Sequence, residues 1–187
     1  MKRIVIFASG SGTNAENLIK FFQNSDKASV VQVLTNNAHA KVLDKCKLLK
    51  VSALSFNKIA LTETNDVLNI LKASKPDLIV LAGFLWKFPE TILNAFPHKV
   101  INIHPALLPK YGGKGMYGMH VHEAIVTNKE TETGITIHYV NEHYDEGAII
   151  FQAKCDVSSS DTAEDVAAKI HELEMAHFPM VVEELLK

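Results

Sequence analysis

The chain has 187 residues, 47% hydrophobic and 21% charged, with 19 Lys and Arg against 21 Asp and Glu for a formal net charge of −2. That length suits one domain; the near-neutral balance argues against a dedicated nucleic-acid binder, and the apolar content against a disordered chain. Cys46 and Cys155 make neither a disulfide framework nor a zinc signature, and the longest apolar run, Leu78–Trp86, falls well short of the roughly 18 residues of a membrane span.

The first predicted element is a strand over Ile4–Ala8, a short continuous apolar run of the kind buried on both faces of a sheet. Helical spacing follows over Asn14–Gln23, then a strand over Val30–Leu34 and a helix over Lys41–Lys50. A third strand over Val51–Phe56 leads to one helix over Thr62–Ala73. Leu78–Ala82 is the most hydrophobic strand and belongs at the sheet centre. Pro89 suits the first turn of a short helix to Phe96, and Val100–Ile103 is the fifth strand. Thr133–Val140 and Ala148–Cys155 read as an antiparallel pair. A final helix starts at Asp161 or Thr162 and runs to about Leu186, bent or interrupted at Pro179. The alternation implies a single-domain α/β protein: a Rossmann-like, mostly parallel sheet flanked by helices, with an antiparallel extension near the C-terminal part.

Ligands of open α/β sheets bind beyond the carboxyl ends of the strands. After strand one comes Ser9-Gly-Ser-Gly-Thr-Asn14, opening a helix whose N-terminal N–H groups suit an anion. The segment loosely fits a dinucleotide fingerprint, but Thr35-Asn-Asn37 stands where an acidic ribose ligand belongs, and no Gly-Lys-Ser/Thr makes a Walker loop. A single phosphate fits better; a capped glycine turn without ligand is the plainer account. After strand four, Gly83 and Trp86 fit either a packed strand end or a close backbone approach to a ligand. After strand five, Asn102 and His104 share one strand face, where two polar groups must be hydrogen-bonded or used. Asn supplies a donor for a developing oxyanion and His a proton near neutral pH. A satisfied buried pair explains them equally. Asp145 lies in a turn and gains meaning only if that turn folds back over strand five. His120 and His122 open a helix at a spacing that shares no face, so no metal site is expected. Both cysteines are expected to be buried hydrophobes.

Together Ser9–Asn14, Pro76–Phe84, Asn102-Ile-His-Pro-Ala-Leu-Leu-Pro109 and Asp145-Glu-Gly147 resemble the folate-dependent phosphoribosylglycinamide formyltransferase family over nearly the whole chain. The Asn-Ile-His-Pro element marks formyltransferases using 10-formyltetrahydrofolate generally; the size of the chain favours the single-domain glycinamide enzymes over the tRNA enzymes and the hydrolases. The resemblance implies one formyltransferase catalytic domain over 1–187, with formyl transfer to 5-phosphoribosylglycinamide in purine biosynthesis. It implies catalytic roles for Asn102, His104 and Asp145. It maps ribotide binding to Gly12, Thr13, Asn14 and Glu174, and folate contacts to Leu85, Trp86, Lys87, Phe88 and Asn102. The co-substrate is then 10-formyltetrahydrofolate, with no metal. The expected partners are small molecules, with no nucleic acid and no membrane, for a cytoplasmic monomer or homodimer. Trp86 stands where the family often has arginine. An arginine expected near the folate tail has no clear match, Lys58 being nearest. The glycine-rich Tyr111–His120 segment reads as a lid. A formyltransferase for another amine, such as a sugar nucleotide, and an inactive nucleotide-binding regulatory module are the alternatives.

Overall fold

A computed structural model describes residues 1–187. The strands are β1 (Lys2–Phe7), β2 (Ala28–Thr35), β3 (Ser52–Ser55), β4 (Leu78–Leu81), β5 (Val100–His104), β6 (Glu132–Tyr139) and β7 (Ile149–Asp156). The helices are α1 (Thr13–Phe22), α2 (Lys41–Leu48), α3 (Lys58–Thr62), α4 (Asp66–Ser74), α5 (Glu90–Ala95), α6 (Met119–Thr127) and α7 (Ala163–Leu185). The strands form one sheet in the order β3-β2-β1-β4-β5-β6-β7, with β4 at its centre. Pairing is parallel from β3 to β5 and antiparallel for β5–β6 and β6–β7.

Period-two alternation divides the core between the two sheet faces. Ile4 and Ile6 of β1 join Leu78, Val80, Ile101, Ile103, Ile135 and Ile137 under α1, α6 and α7. Val5 and Phe7 join Ile79, Leu81 and Val100 under α3, α4 and α5. Because Ile101 and Ile103 enter the first core, Asn102 and His104 turn to the opposite face. There the β5–β6 end of the sheet is covered by the chain leaving β5 and by the β6–β7 turn.

Three local expectations are corrected. The predicted helix over Thr62–Ala73 is two helices, α3 and α4. The first starts earlier because the Asn57 side chain accepts from the Ala60 N–H, and Thr64 and Asp66 then form a turn that restarts the helix. Pro179 does not interrupt α7, which runs unbroken through it from a capping box at Thr162 and Asp165. A proline at 179 cannot donate to the Met175 carbonyl one turn back. Asn17 of α1 supplies the missing donor, its Nδ2 lying 3.0 Å from the Met175 oxygen. Cys46 is buried, and burial pushes its thiol up to about 11, whereas Cys155 on the edge strand β7 is only half-buried. No helix is long and apolar enough to cross a membrane.

Candidate active site

The ends of β1, β4 and β5 open on a cavity of about 830 Å³, a size suited to small-molecule ligands. Its walls come from Ser9–Asn14, Ala82–Leu85, Asn102–Pro105, Gly113–Gly118, Tyr144–Asp145 and one side of α7. The first two strand ends are stitched together: the Ser9 N–H donates to the Gly83 carbonyl at 3.0 Å, and the Leu85 N–H donates to Ser9 Oγ at 3.0 Å.

Gly12 holds the left-handed conformation at φ 66°, and no side chain caps α1 after it. The first N–H groups of a helix lack intrahelical partners, so this end presents donors of positive character. Gly12, Thr13 and Asn14 all line the cavity. The Asn14 side chain is already engaged, its Nδ2 donating to Glu174 Oε2 at 2.9 Å, while its Oδ1 is buried without a partner. Burial pushes the Glu174 carboxyl up to about 7, against the Asn14 bond, which works the other way. His171 stands at the 4.0 Å limit of an ion pair with it.

The β6–β7 turn does fold back over β5. Asp145 Oδ2 lies 3.6 Å from His104 Nδ1 and accepts from the Gly113 N–H at 2.9 Å. Asp145 holds a positive φ of 56°, which aspartate tolerates better than most residues. Asn102 Nδ2 is 3.1 Å from His138 Nε2 and 3.4 Å from Asp145 Oδ1. His138 Nδ1 faces the Tyr139 carbonyl at 2.8 Å and must donate to it, so in the neutral ring Nε2 accepts from Asn102. His104 Nε2 faces the Tyr111 carbonyl at 2.7 Å and likewise carries a proton. Its Nδ1 is then the nitrogen left to take up a proton. The 3.6 Å gap to Asp145 is too long for a hydrogen bond.

Burial lowers the His104 pKa, and the nearby His138 adds to this; the Asp145 charge and the Tyr111 carbonyl oppose it without cancelling it. For Asp145, burial works upward but is outweighed by His138, the His104 charge and the Gly113 N–H, which leave the carboxyl below its usual range. The resting pair is therefore a neutral imidazole facing a carboxylate, a site that gains an ion pair when Nδ1 is protonated.

The remaining expected residues divide. Leu85 lines the cavity, with its N–H committed to Ser9. Trp86, Lys87 and Phe88 stand outside the cavity wall: Phe88 is buried against Phe7, and Trp86 packs on Phe56 and Phe84. Lys58 starts α3 on the surface, away from the cavity. Four residues of the site have places the sequence did not foretell: Tyr111 and Gly113, expected only as part of a lid, His122, weighed only as a metal ligand, and His138. His122 lines the cavity, with Nδ1 buried and unpartnered and its pKa lowered by burial and by His104. The Thr136-x-His138 alternation in an apolar strand was a legible signal. Antiparallel register sets Thr136 opposite His104 and His138 opposite Asn102.

Residues 2–182 match the formyl transferase family, and the chain belongs to it. Among its relatives, the phosphoribosylglycinamide formyltransferase of Bacillus subtilis (strain 168) is 32% identical, with all of this chain and 95% of that protein aligned. The chloroplastic phosphoribosylglycinamide formyltransferase of Arabidopsis thaliana is 34% identical over all of this chain, which spans 67% of the plant protein. The crystal structure of glycinamide ribonucleotide transformylase 1 from Geobacillus kaustophilus superposes with a TM-score of 0.90 at 32% identity, covering both chains completely.

Proposed function

We propose that this chain is a phosphoribosylglycinamide formyltransferase, working as one catalytic domain on small-molecule substrates in the cytoplasm. It moves the formyl group of 10-formyltetrahydrofolate to the amine of 5-phosphoribosylglycinamide. One observation carries the reading. Asn102, His104 and Asp145 meet beside a single cavity that also takes in the uncapped start of α1 and Glu174.

The ribotide phosphate is held by the backbone of Gly12–Asn14, and Glu174 contacts the glycinamide ribotide. Leu85 at the cavity wall contacts the folate, and the aromatic packing of Trp86 and Phe88 fixes that loop from behind. The amine attacks the formyl carbon, forming a C–N bond and placing negative charge on the formyl oxygen. Asn102 gives up its longer contact, 3.4 Å to Asp145, and donates to that oxygen. A proton leaves the attacking nitrogen and a proton reaches the departing folate nitrogen as the intermediate collapses. His104 Nδ1 carries that proton, and Asp145 stabilises the imidazolium while it lasts. No bond forms between protein and substrate, and the folate is consumed as a substrate.

The test is spectrophotometric release of the deformylated folate, with and without glycinamide ribotide. Release that requires both substrates supports the reading. Equal release without the amine makes the protein a hydrolase, and no release with this amine but release with an amino sugar nucleotide redirects it to another acceptor.

A further inference from the structure

We propose that Tyr111 is a positioning residue for His104. Its anchored ring holds its own backbone carbonyl on His104 Nε2 and thereby makes Nδ1 the nitrogen that carries the reactive proton. The proposal rests on the formyl-transfer reading for its kinetic consequence and on geometry alone for the rest.

Tyr111 begins the glycine-rich segment after β5 and adopts a left-handed φ of 56°. That conformation is unfavourable for a bulky aromatic residue and persists only where the surroundings impose it. The surroundings are specific. The Tyr111 hydroxyl donates to Glu130 Oε1 at 2.9 Å and accepts from Asn128 Nδ2 at 3.0 Å. Lys110 Nζ holds the same Glu130 oxygen at 3.0 Å. Asn128 caps the C-terminus of α6, so the ring is bolted to the far end of the next helix. Burial, helped by the Glu130 charge, raises the phenol pKa and keeps the donor proton in place.

The carbonyl so held is 2.7 Å from His104 Nε2. A carbonyl only accepts, so it selects the tautomer with hydrogen on Nε2 and leaves Nδ1 toward Asp145, 3.6 Å away. Two residues on, the Gly113 N–H fixes Asp145 itself at 2.9 Å. One short segment thus orients both members of the pair, a job that falls to a third group in nucleophile–base–orienter systems. The segment read from sequence as a lid is, over Tyr111–Gly113, a clasp on the site. The groups bearing on His104 are Asp145 from the β6–β7 turn, His138 from β6, His122 from α6 and the Tyr111 carbonyl. Of these, Asp145 and the carbonyl favour the cation.

The experiment uses the full chain without ligands, following the His104 ring nitrogens by NMR across pH, in parallel with steady-state kinetics. In the unsubstituted protein Nε2 carries the proton of the neutral ring. In Tyr111→Phe the ring stays but its anchor is lost. The neutral form then becomes a mixture of tautomers and its titration midpoint falls, because a hydrogen bond favouring the cation has weakened. Rate suffers with orientation, so kcat drops about tenfold while the ribotide KM changes less than about twofold. Glu130→Gln keeps an acceptor for the hydroxyl and stays near the unsubstituted protein. Glu130→Ala, which leaves the Asn128 contact, shifts tautomer, midpoint and kcat in the same direction as Tyr111→Phe by no more than that variant does. The double variant is no worse than Tyr111→Phe, since both act through one hydroxyl. Glu130→Ala also stands in if Tyr111→Phe does not fold. An unchanged His104 tautomer and midpoint in the folded variants overturns the proposal, as does a loss of melting temperature with no change in the pH profile. If the unsubstituted protein transfers no formyl group, the functional reading fails while the NMR arm still decides this one.

Discussion

Asn14 near the start of α1 and Glu174 in the middle of α7 are 160 positions apart in sequence and meet at 2.9 Å inside the cavity. The carboxyl gains this one protein hydrogen bond, and with its side chain only 15% exposed it is pushed up to about 7. The folded protein therefore holds a proton here that the unfolded chain, at its ordinary 4.5, has lost. Between those two values stability falls as pH rises, and the deficit is complete above about pH 7. A displacement of that size corresponds to about 3 kcal/mol. Glu174→Gln keeps an acceptor for Asn14 and cannot ionise. Urea denaturation should find it more stable than the unsubstituted protein at pH 8, with the gap closing toward pH 5. The same change should raise the ribotide KM, the usual exchange of stability against function. An identical gap at both pH values would show that Glu174 is not buried as a charge.

Asp145 faces His104 Nδ1 across 3.6 Å and is the negative charge nearest to it. Asp145→Asn preserves an acceptor for the Gly113 N–H and removes the charge. Burial already holds the imidazole below its ordinary pKa, so losing the opposing charge lowers it further. The His104 titration midpoint should fall, and kcat should fall at least about tenfold with the fold retained. If His104 titrates alike in both proteins, Asp145 is a turn residue and nothing more.

Asn102 bridges His138 and Asp145 through one amide. Removing an oxyanion donor typically lowers kcat by about 10²–10³. Asn102→Ala should lose that much rate with a small change in substrate affinity, as single-turnover kinetics would reveal. A kcat within about threefold of the unsubstituted value would remove the amide from the chemistry.

Gly12 looks from sequence like a pure ligand contact, yet its Cα is packed from behind. A Cβ there would lie 2.3 Å from Val42 Cγ2, on a backbone at φ +66°. Gly12→Ala should therefore destabilise the protein by about 1–3 kcal/mol, before any effect on phosphate binding. The same Cβ would lie 2.5 Å from Val42 Cβ, which alanine at 42 would keep. Val42→Gly, which removes both atoms, should therefore restore part of that loss in the double variant, measured by chemical denaturation. Were the two effects simply additive, the clash would not be the cause.

The strands and the location of the site were readable because β1, β4 and β5 are short apolar runs with unusual residues at their carboxyl ends. These are the Ser9–Asn14 loop after β1, Gly83 and Trp86 after β4, and Asn102 and His104 at the end of β5 itself. Asn102 and His104 announced themselves by sharing a face of such a run. What the sequence could not convey was pairing. His138 became part of the site through β5–β6 register, which sets it opposite Asn102. Tyr111 and Gly113 act through backbone atoms, and a carbonyl or an N–H carries no residue signature. The split between α3 and α4 was hidden because Thr64-Asn65 interrupts a helical pattern without a glycine or proline.

The proline of α7 has a consequence reaching well past its own helix. An intact α-helix consumes its interior carbonyls and offers a neighbour few addresses. By withholding one N–H, Pro179 turns Met175 into a single labelled acceptor, and Asn17 claims it at 3.0 Å. Asn14 precedes Asn17 by three residues and so lies along the same stripe of α1. It meets Glu174, the residue beside the claimed carbonyl. A missing bond in one helix thus works as an alignment mark for another. It fixes how far α1 slides along α7, and with it where the start of α1 comes to rest over the cavity.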